Sequence, residues 1–480
     1  MPFEREINRL LIGLLITFGV VALAAAYWAV AGADTILQRD DNPRRVLAEA
    51  AIGRGGIYDR NETLLVTSIP QQNGSVQREY RVPAAYSALG YYSFTYGVGG
   101  AEAAYNTILR GDDLSTSLSE IFTDQLLHRP QQGSDVQLTF DVNVQTTLAD
   151  AMDGQRGAAI LLSIPSGDVI GMLSLPTFDP NQLDATWEQL ITDPGNPFFA
   201  RALQGRYQPG AVLQTPLIAA ALLVDQPIDD PLENAAAAYL LNELTLTCAV
   251  RLPDVSLTLR EAYSFACPSA FAQLIESLEI DVVQATFDTF QIENIPVLEG
   301  FVAPLDAAAP TAIPFQWTTT NFRANALGQG DQTVTPLMMA MIAAAIVNDG
   351  NTPQPHALIG VRPPTSDVWQ PIINARPTIP ITTSGTARRL QDLMRGAVAN
   401  GAAQNAGRPN LDIGGHAALA YSGDSTLAWF VGFATLGGSD ALAIAVVLED
   451  SDDPGLAADI GGAALEAAAH SARDRTVRSN

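Results

Sequence analysis

The sequence predicts an α+β fold: one antiparallel sheet flanked by helices, preceded by a smaller domain and a single membrane-spanning helix. Three observations predict it. Two apolar runs, residues 158–163 and 168–175, flank Pro165-Ser166-Gly167, a hairpin turn signal. Two more, residues 427–434 and 441–448, lie late in the chain around Gly437-Gly438. Between the two pairs, residues 197–346 read mostly as helix. Two strands early, three late and helices between give one sheet with helices packed on it. A last Ala-rich helix is expected over residues 461–472.

The N-terminus carries the membrane signal. Residues 10–33 are uncharged and mostly apolar, long enough to cross a bilayer core. Arg5 and Arg9 precede this run and Asp34 follows it, so residues 1–9 form a cytoplasmic tail and the bulk of the chain is extracytoplasmic. Tyr27 and Trp28 fall near the outer interface. Ala31-Gly32-Ala33 fits a signal-peptidase site, which leaves a cleaved signal as the rival. Signal cores are shorter, about 7–15 residues, so a retained anchor is expected. Residues 34–130 read as a first extracytoplasmic domain, with a strand over 63–66. Residues 128–135 read as a linker. A second domain, 131–480, opens with a strand over 136–140 and a helix over 144–152.

Composition bounds the function. With 47% hydrophobic and 16% charged residues, the 480-residue chain can build large cores. A net charge of -25 argues against binding nucleic acid or an anionic membrane surface. The chain contains no lysine, and arginine cannot replace a lysine amine as a base because it does not deprotonate. The two cysteines, Cys248 and Cys267, have no neighbour at metal-ligand spacing, so no metal and no cofactor is expected. Outside the cytoplasm they can close a disulfide loop of about 20 residues, contributing on the order of 3 kcal/mol. Two buried free thiols are the alternative.

The chain is organised around residues 197–224. A turn at Pro209-Gly210 leads into an apolar helix candidate over 211–224, with Pro216 tolerable only near its start. Arg201, Ala202, Gln204, Gly205, Tyr207, Pro209 and Gly210 resemble the active-site segment of the penicillin-binding proteins, R-A-x-Q-G-x-Y-x-P-G-S-x-x-K. Other stretches extend the resemblance to the class B members. Gly53-Arg54-Gly55-Gly56-Ile57-Tyr58-Asp59-Arg60 resembles the opening of their pedestal domain. Tyr91-Tyr92-Ser93, Tyr96-Gly97, Glu102 and Tyr105-Asn106 are similar to a segment of actinobacterial elongation-type members, with ordinary packing as the alternative role. Pro176-Thr177-Phe178-Asp179-Pro180-Asn181 and Gly328-Gln329-Gly330 with Val334-Thr335-Pro336-Leu337 resemble two further signatures. The resemblance implies the penicillin-binding-protein/serine β-lactamase-like fold, with the pedestal at 34–130.

The chemistry of that family is acyl transfer through a serine ester, carried by S-x-x-K, S-x-N and K-T-G. Here Ala211 and Gln214 stand at the first motif, Ala266 and Pro268 at the second, and His416, Ala417 and Ala418 at the third. Trp429-Phe430-Val431-Gly432-Phe433 fixes the last register. No catalytic residue is therefore expected. Ser269 is read as a helix N-cap after Pro268, or else as a relocated nucleophile. His416 is read as an edge-strand residue without a role, or one carrying partial charge near pH 6.5. The expectation is a membrane-anchored pseudo-transpeptidase, a scaffold or regulator of a peptidoglycan or cell-shape complex. What the resemblance implies as partner is a membrane glycan polymerase. An active D,D-transpeptidase with a relocated nucleophile and a non-catalytic binder of wall peptides are the alternatives.

Overall fold

A computed structural model describes residues 4–30, 49–72, 74–112, 131–253, 255–301, 317–372 and 377–479. Helix α1 (Glu4–Val30) contains the apolar stretch Ile7–Ala25, which is exposed throughout. Among the described residues it is the one helix long and apolar enough to cross a membrane. Residues 31–33, the end of the expected span, lie outside the described residues.

The expected sheet has five strands: β1 (Gly157–Ile164), β2 (Val169–Leu175), β3 (Asp412–Ser422), β4 (Ser425–Gly437) and β5 (Asp440–Leu448). Their order is β3-β4-β5-β1-β2 and every pairing is antiparallel. Side chains alternate along β1: Ala158, Ile160 and Leu162 enter one core, Ala159 and Leu161 the other. Helices cover both faces, which is why these strands read as unbroken apolar runs rather than alternating ones. Helices α2 (Val142–Ala151) and α6 (Pro454–Ser479) lie on one face, and α5 (Pro336–Val347) on the other.

Two helix ends differ from expectation. After Pro209 the chain makes a 3-10 turn, Gly210–Leu213, before α3 (Gln214–Leu223). Pro216 has no N–H to offer the Val212 carbonyl, so the regular ladder starts later. The sequence also predicts a helix over residues 337–347 capped by Gly350; at the end of α5 the C-cap is instead Asn348. Asp349 already has φ 49°, and Gly350 (φ 92°) donates its N–H back to the Ala345 carbonyl. A Cβ at Gly350 would overlap the Thr382 carbonyl oxygen.

Residues 131–135 are not a solvated linker; residues 128–130 lie outside the described residues. Gly53 N donates to Gln131 O at 2.9 Å and Gly133 N to Gly53 O at 2.8 Å. The chain then enters a second sheet with the strand order Gln370–Pro371, Leu358–Arg362, Asp135–Leu138, Ile57–Tyr58, Leu64–Pro70, Val76–Tyr80. The sheet joins N-terminal strands to a hairpin from far down the chain. The glycines of 53–56 make this contact possible: a Cβ at Gly55 would overlap the Ser134 carbonyl.

Two polar contacts fix the N-terminal segment. Asn181 spans to Tyr80, accepting from its N–H at 2.9 Å and donating to its carbonyl at 3.0 Å, as another strand would. Glu102 is fully buried between Arg54 (2.7 Å) and Arg78 (2.6 Å). Asn106 accepts from Arg54 at 2.8 Å, and Tyr92 N donates to the Tyr80 hydroxyl at 2.7 Å. Burial alone raises the Glu102 pKa, but the Arg78 and Arg54 guanidiniums outweigh it and hold the carboxyl below its usual range.

Glu102→Ala strands two buried guanidiniums and is expected to cost about 3–5 kcal/mol, read as a lowered chemical-denaturation midpoint. Because the folded carboxyl titrates below the unfolded one, its contribution is present above the ordinary Glu pKa and is lost as pH falls through the lower folded value. A variant as stable as the parent would contradict this.

Candidate active site

The crevice is built on backbone contact. Tyr207 and Val334 exchange N–H···O bonds at 2.9 Å, and Gly210 N donates to Gly328 O at 2.8 Å. Both glycines have positive φ, 54° and 67°. A Cβ at Gly210 would overlap the Leu419 carbonyl, and one at Gly328 the Gly210 carbonyl. Gln208 Nε2 donates to Gly328 O (2.7 Å) and Gly330 O (3.0 Å), while Trp429 Nε1 donates to Gln208 O (3.1 Å). Arg201 is buried, bonded to Glu449 Oε1 (2.9 Å) and to the Gly195 and Asn196 carbonyls; Tyr207 donates to the same Glu449 oxygen at 2.7 Å. Arg156 pairs with Glu449 as well. Glu449 gave no sequence signal, because its partners sit in a segment that precedes it by more than 240 residues.

Ala211, in the 3-10 turn, and Gln214, the first residue of α3, face the crevice three residues apart and so on one side. Pro268, Gln329, Leu419 and Tyr421 complete most of the wall. The enclosed volume is about 20 Å³, enough for a water and far below a ligand pocket of some 300 Å³ or more. Gln214 is buried, and its Oε1 has no partner among the described residues.

His416 lies on the edge strand β3, but its ring turns inward and is fully buried. It stacks on Tyr263 with centroids 4.2 Å apart and 13° between planes, and Nε2 sits 3.1 Å from the Ala211 carbonyl oxygen. Since a carbonyl only accepts, Nε2 carries the proton. Burial pushes the His416 pKa down to about 4, only partly opposed by that hydrogen bond. Burial therefore favours the neutral ring at physiological pH over partial charge near pH 6.5. Tyr263 in turn shares a hydrogen bond with Thr215 at 2.9 Å.

The other expected positions are dispersed. Ala417 and Ala418 are fully buried, paired with Phe430 and Trp429, and line no part of the crevice. Ala266 is buried with φ 53°. Cys267 is joined to Cys248 by a disulfide, S–S 2.09 Å, and is itself the N-cap of α4 (Pro268–Ser277). Ser269 is thus not the cap: Pro268 occupies the first helical position, which moves the cap back to Cys267. Ser269 is buried and does not line the crevice. What the crevice offers is amides and hydroxyls, from Gln214, Gln329, Thr247 and Tyr421; no charged side chain lines it. Among the described residues no cluster of His, Cys, Asp and Glu could hold a metal.

The buried ring should make folding pH-dependent. Between pH 6.5 and about 4 the unfolded chain binds a proton that folded His416 refuses, so stability falls as pH falls across that window. The loss attributable to this ring is on the order of 3 kcal/mol. His416→Phe keeps the stack on Tyr263 and should flatten this segment of a denaturation-versus-pH curve. An unchanged slope in the variant would refute the assignment.

Comparison with known proteins matches this architecture. A family model described as penicillin binding protein transpeptidase domain matches residues 157–471, and one described as penicillin binding protein A dimerisation domain matches residues 54–136. The peptidoglycan D,D-transpeptidase PbpA of Mycolicibacterium smegmatis is 28% identical over 503 residues, covering 96% of this chain and 98% of that protein. Its Mycobacterium tuberculosis namesake (strain H37Rv) is 26% identical over 513 residues, with the same coverage. Among solved structures, penicillin-binding protein A from M. tuberculosis as an imipenem acyl-enzyme complex aligns with TM-score 0.75 and 27% identity, over 88% of this chain and 99% of that one. The D,D-transpeptidase domain of a peptidoglycan glycosyltransferase from Eggerthella lenta aligns with TM-score 0.74 and 25% identity, with the same coverage. The transpeptidase-domain match spans well over half of the chain, and the chain belongs to the penicillin-binding proteins, with the transpeptidase and dimerisation domains of the class B members.

Proposed function

We propose that this protein is a catalytically silent, membrane-anchored member of the D,D-transpeptidase family, acting as a scaffold or regulator in a peptidoglycan-assembling complex. Its organisation on this reading is a cytoplasmic tail (1–9), a membrane helix (10–33), a pedestal (34–130) and a transpeptidase-like domain (131–480). The observation that carries the reading is the content of the crevice. Ala211 has no heteroatom and Gln214 is no base, at the positions that resemble the nucleophile and lysine of the family motif. The neutral His416 is occupied with the Ala211 carbonyl. In a worked hydrolase case, loss of the nucleophile alone costs on the order of 10⁶ in rate. The alternatives have less behind them. Ser269 is buried away from the crevice, and a wall peptide needs far more than about 20 Å³. A membrane glycan polymerase is the partner class the family suggests.

Intact-mass analysis after incubation with penicillin tests silence. No adduct is expected on the parent chain, nor a fast one on Ala211→Ser, whose hydroxyl would meet Gln214 where a base is required. A stoichiometric adduct on the parent refutes the reading. Placement is tested separately. The full-length chain should sediment with membranes with its N-terminus inside, since an apolar helix exposed on every face is unstable in water. Recovery of a mature chain starting at Asp34 would show a cleaved signal instead.

A further inference from the structure

A second cavity, of about 150 Å³, opens between the hairpin Tyr91–Ser93/Gly97–Gly99 and residues 172–204. Its wall is aromatic. The rings of Tyr91, Phe178 and Phe198 touch one another, with centroids 4.6–5.9 Å apart, and Phe199, 40% exposed, forms part of the rim. No charged side chain lines it. Its volume is that of a cavity known to take up a benzene ring, about half the lower limit for a ligand-sized pocket. It therefore fits one apolar side chain, as interface pockets do for anchor residues.

Exposed acids flank it in the chain. Residues 172–200 contain four acids, Asp179, Asp184, Glu188 and Asp193, all exposed, and no basic residue. On the other side, the cation over the Tyr92 ring of the hairpin, Arg54, is paired with the buried Glu102 at 2.7 Å. The cation that lies over the Phe199 ring, Arg201, is already paired with Glu449.

We propose that this junction is a docking site for a partner protein that inserts one aromatic or long aliphatic side chain flanked by basic residues. The pocket supplies the anchor's apolar contact, and the acidic rim selects the flanks and rejects acidic ones. The proposal deepens the scaffold reading and rests on it for the existence of a partner. It does not depend on whether the crevice is acylated, so the two fail separately.

The test is calorimetric titration of the full-length chain in detergent with three peptides: Ac-Arg-Phe-Arg-NH2, Ac-Arg-Ala-Arg-NH2 and Ac-Glu-Phe-Glu-NH2. The first should bind, the second about tenfold or more weakly for loss of a buried ring, and the third not at all. Phe199→Ala and Glu188→Arg, both at exposed positions, should each weaken the first peptide while leaving the thermal midpoint unchanged. Equal binding of the Phe and Ala peptides, equal binding of the basic and acidic peptides, indifference to both substitutions, or no binding up to about 5 mM would each overturn the proposal.

Discussion

Two backbones meet at Gly210 and Gly328, and the crevice takes its shape from that contact. The hydrogen bond between them is 2.8 Å and both residues occupy the left-handed region; a Cβ on Gly328 would push into the Gly210 backbone, and one on Gly210 into β3 at Leu419 and Ala420. Gln208 bridges the same pair, and Trp429 of β4 holds Gln208 in place. A side chain at Gly210 would lift the 3-10 turn that precedes α3 from β3, and one at Gly328 would part the two backbones. Two short signatures, separated by more than a hundred residues, are thus halves of one structural contact. Arg201 and Tyr207 extend it to Glu449, at the end of β5. Keeping these residues is a requirement of the sheet and its helices, and it is independent of which side chains occupy positions 211 and 214.

What fills the crevice follows from burial. A charged group there would need an anion or water beside it, whereas a neutral ring can be dry. His416 meets that condition by losing its proton, stacking on Tyr263 and donating to the Ala211 carbonyl. Gln214 meets it less well, since its Oε1 has no partner among the described residues. The small space beside it is large enough for one water to serve that oxygen. Close packing and neutrality support each other: each apolar or neutral side chain removes a reason for the crevice to stay wet.

The N-terminal segment is tied to the rest by a sheet rather than by a tether. The strand Asp135–Leu138 pairs in parallel with Ile57–Tyr58 and antiparallel with Leu358–Arg362. Asn181 adds a strand-like pair of bonds to Tyr80, and the Arg54–Glu102–Arg78 cluster is buried beside them. A buried ion cluster adds little stability over an apolar core, but it is costly to break, so it fixes the register of the elements that carry it. The aromatic pocket lies along this same junction.

The sequence by itself determined the strands β1, β2, β4 and β5 and the helix α5, because each is a long apolar run bounded by local turn or cap chemistry. It also determined that Ala211 and Gln214 share a face, since helical spacing alone places them so. The tertiary structure decided the rest. His416 becomes neutral only because Tyr263 and the 3-10 turn Gly210–Leu213 cover it, and its partner Ala211 is 205 residues away in the chain. Ser269 loses the cap to Cys267, and residues 131–135 become part of a bonded layer because Gly53–Gly56 lie against them. Glu102 and Glu449 gave no local sign of their arginine partners. A local pattern records which residues prefer to be buried. Desolvation, protonation and ion pairing depend on which distant segment does the burying, and that is set only when the chain has folded.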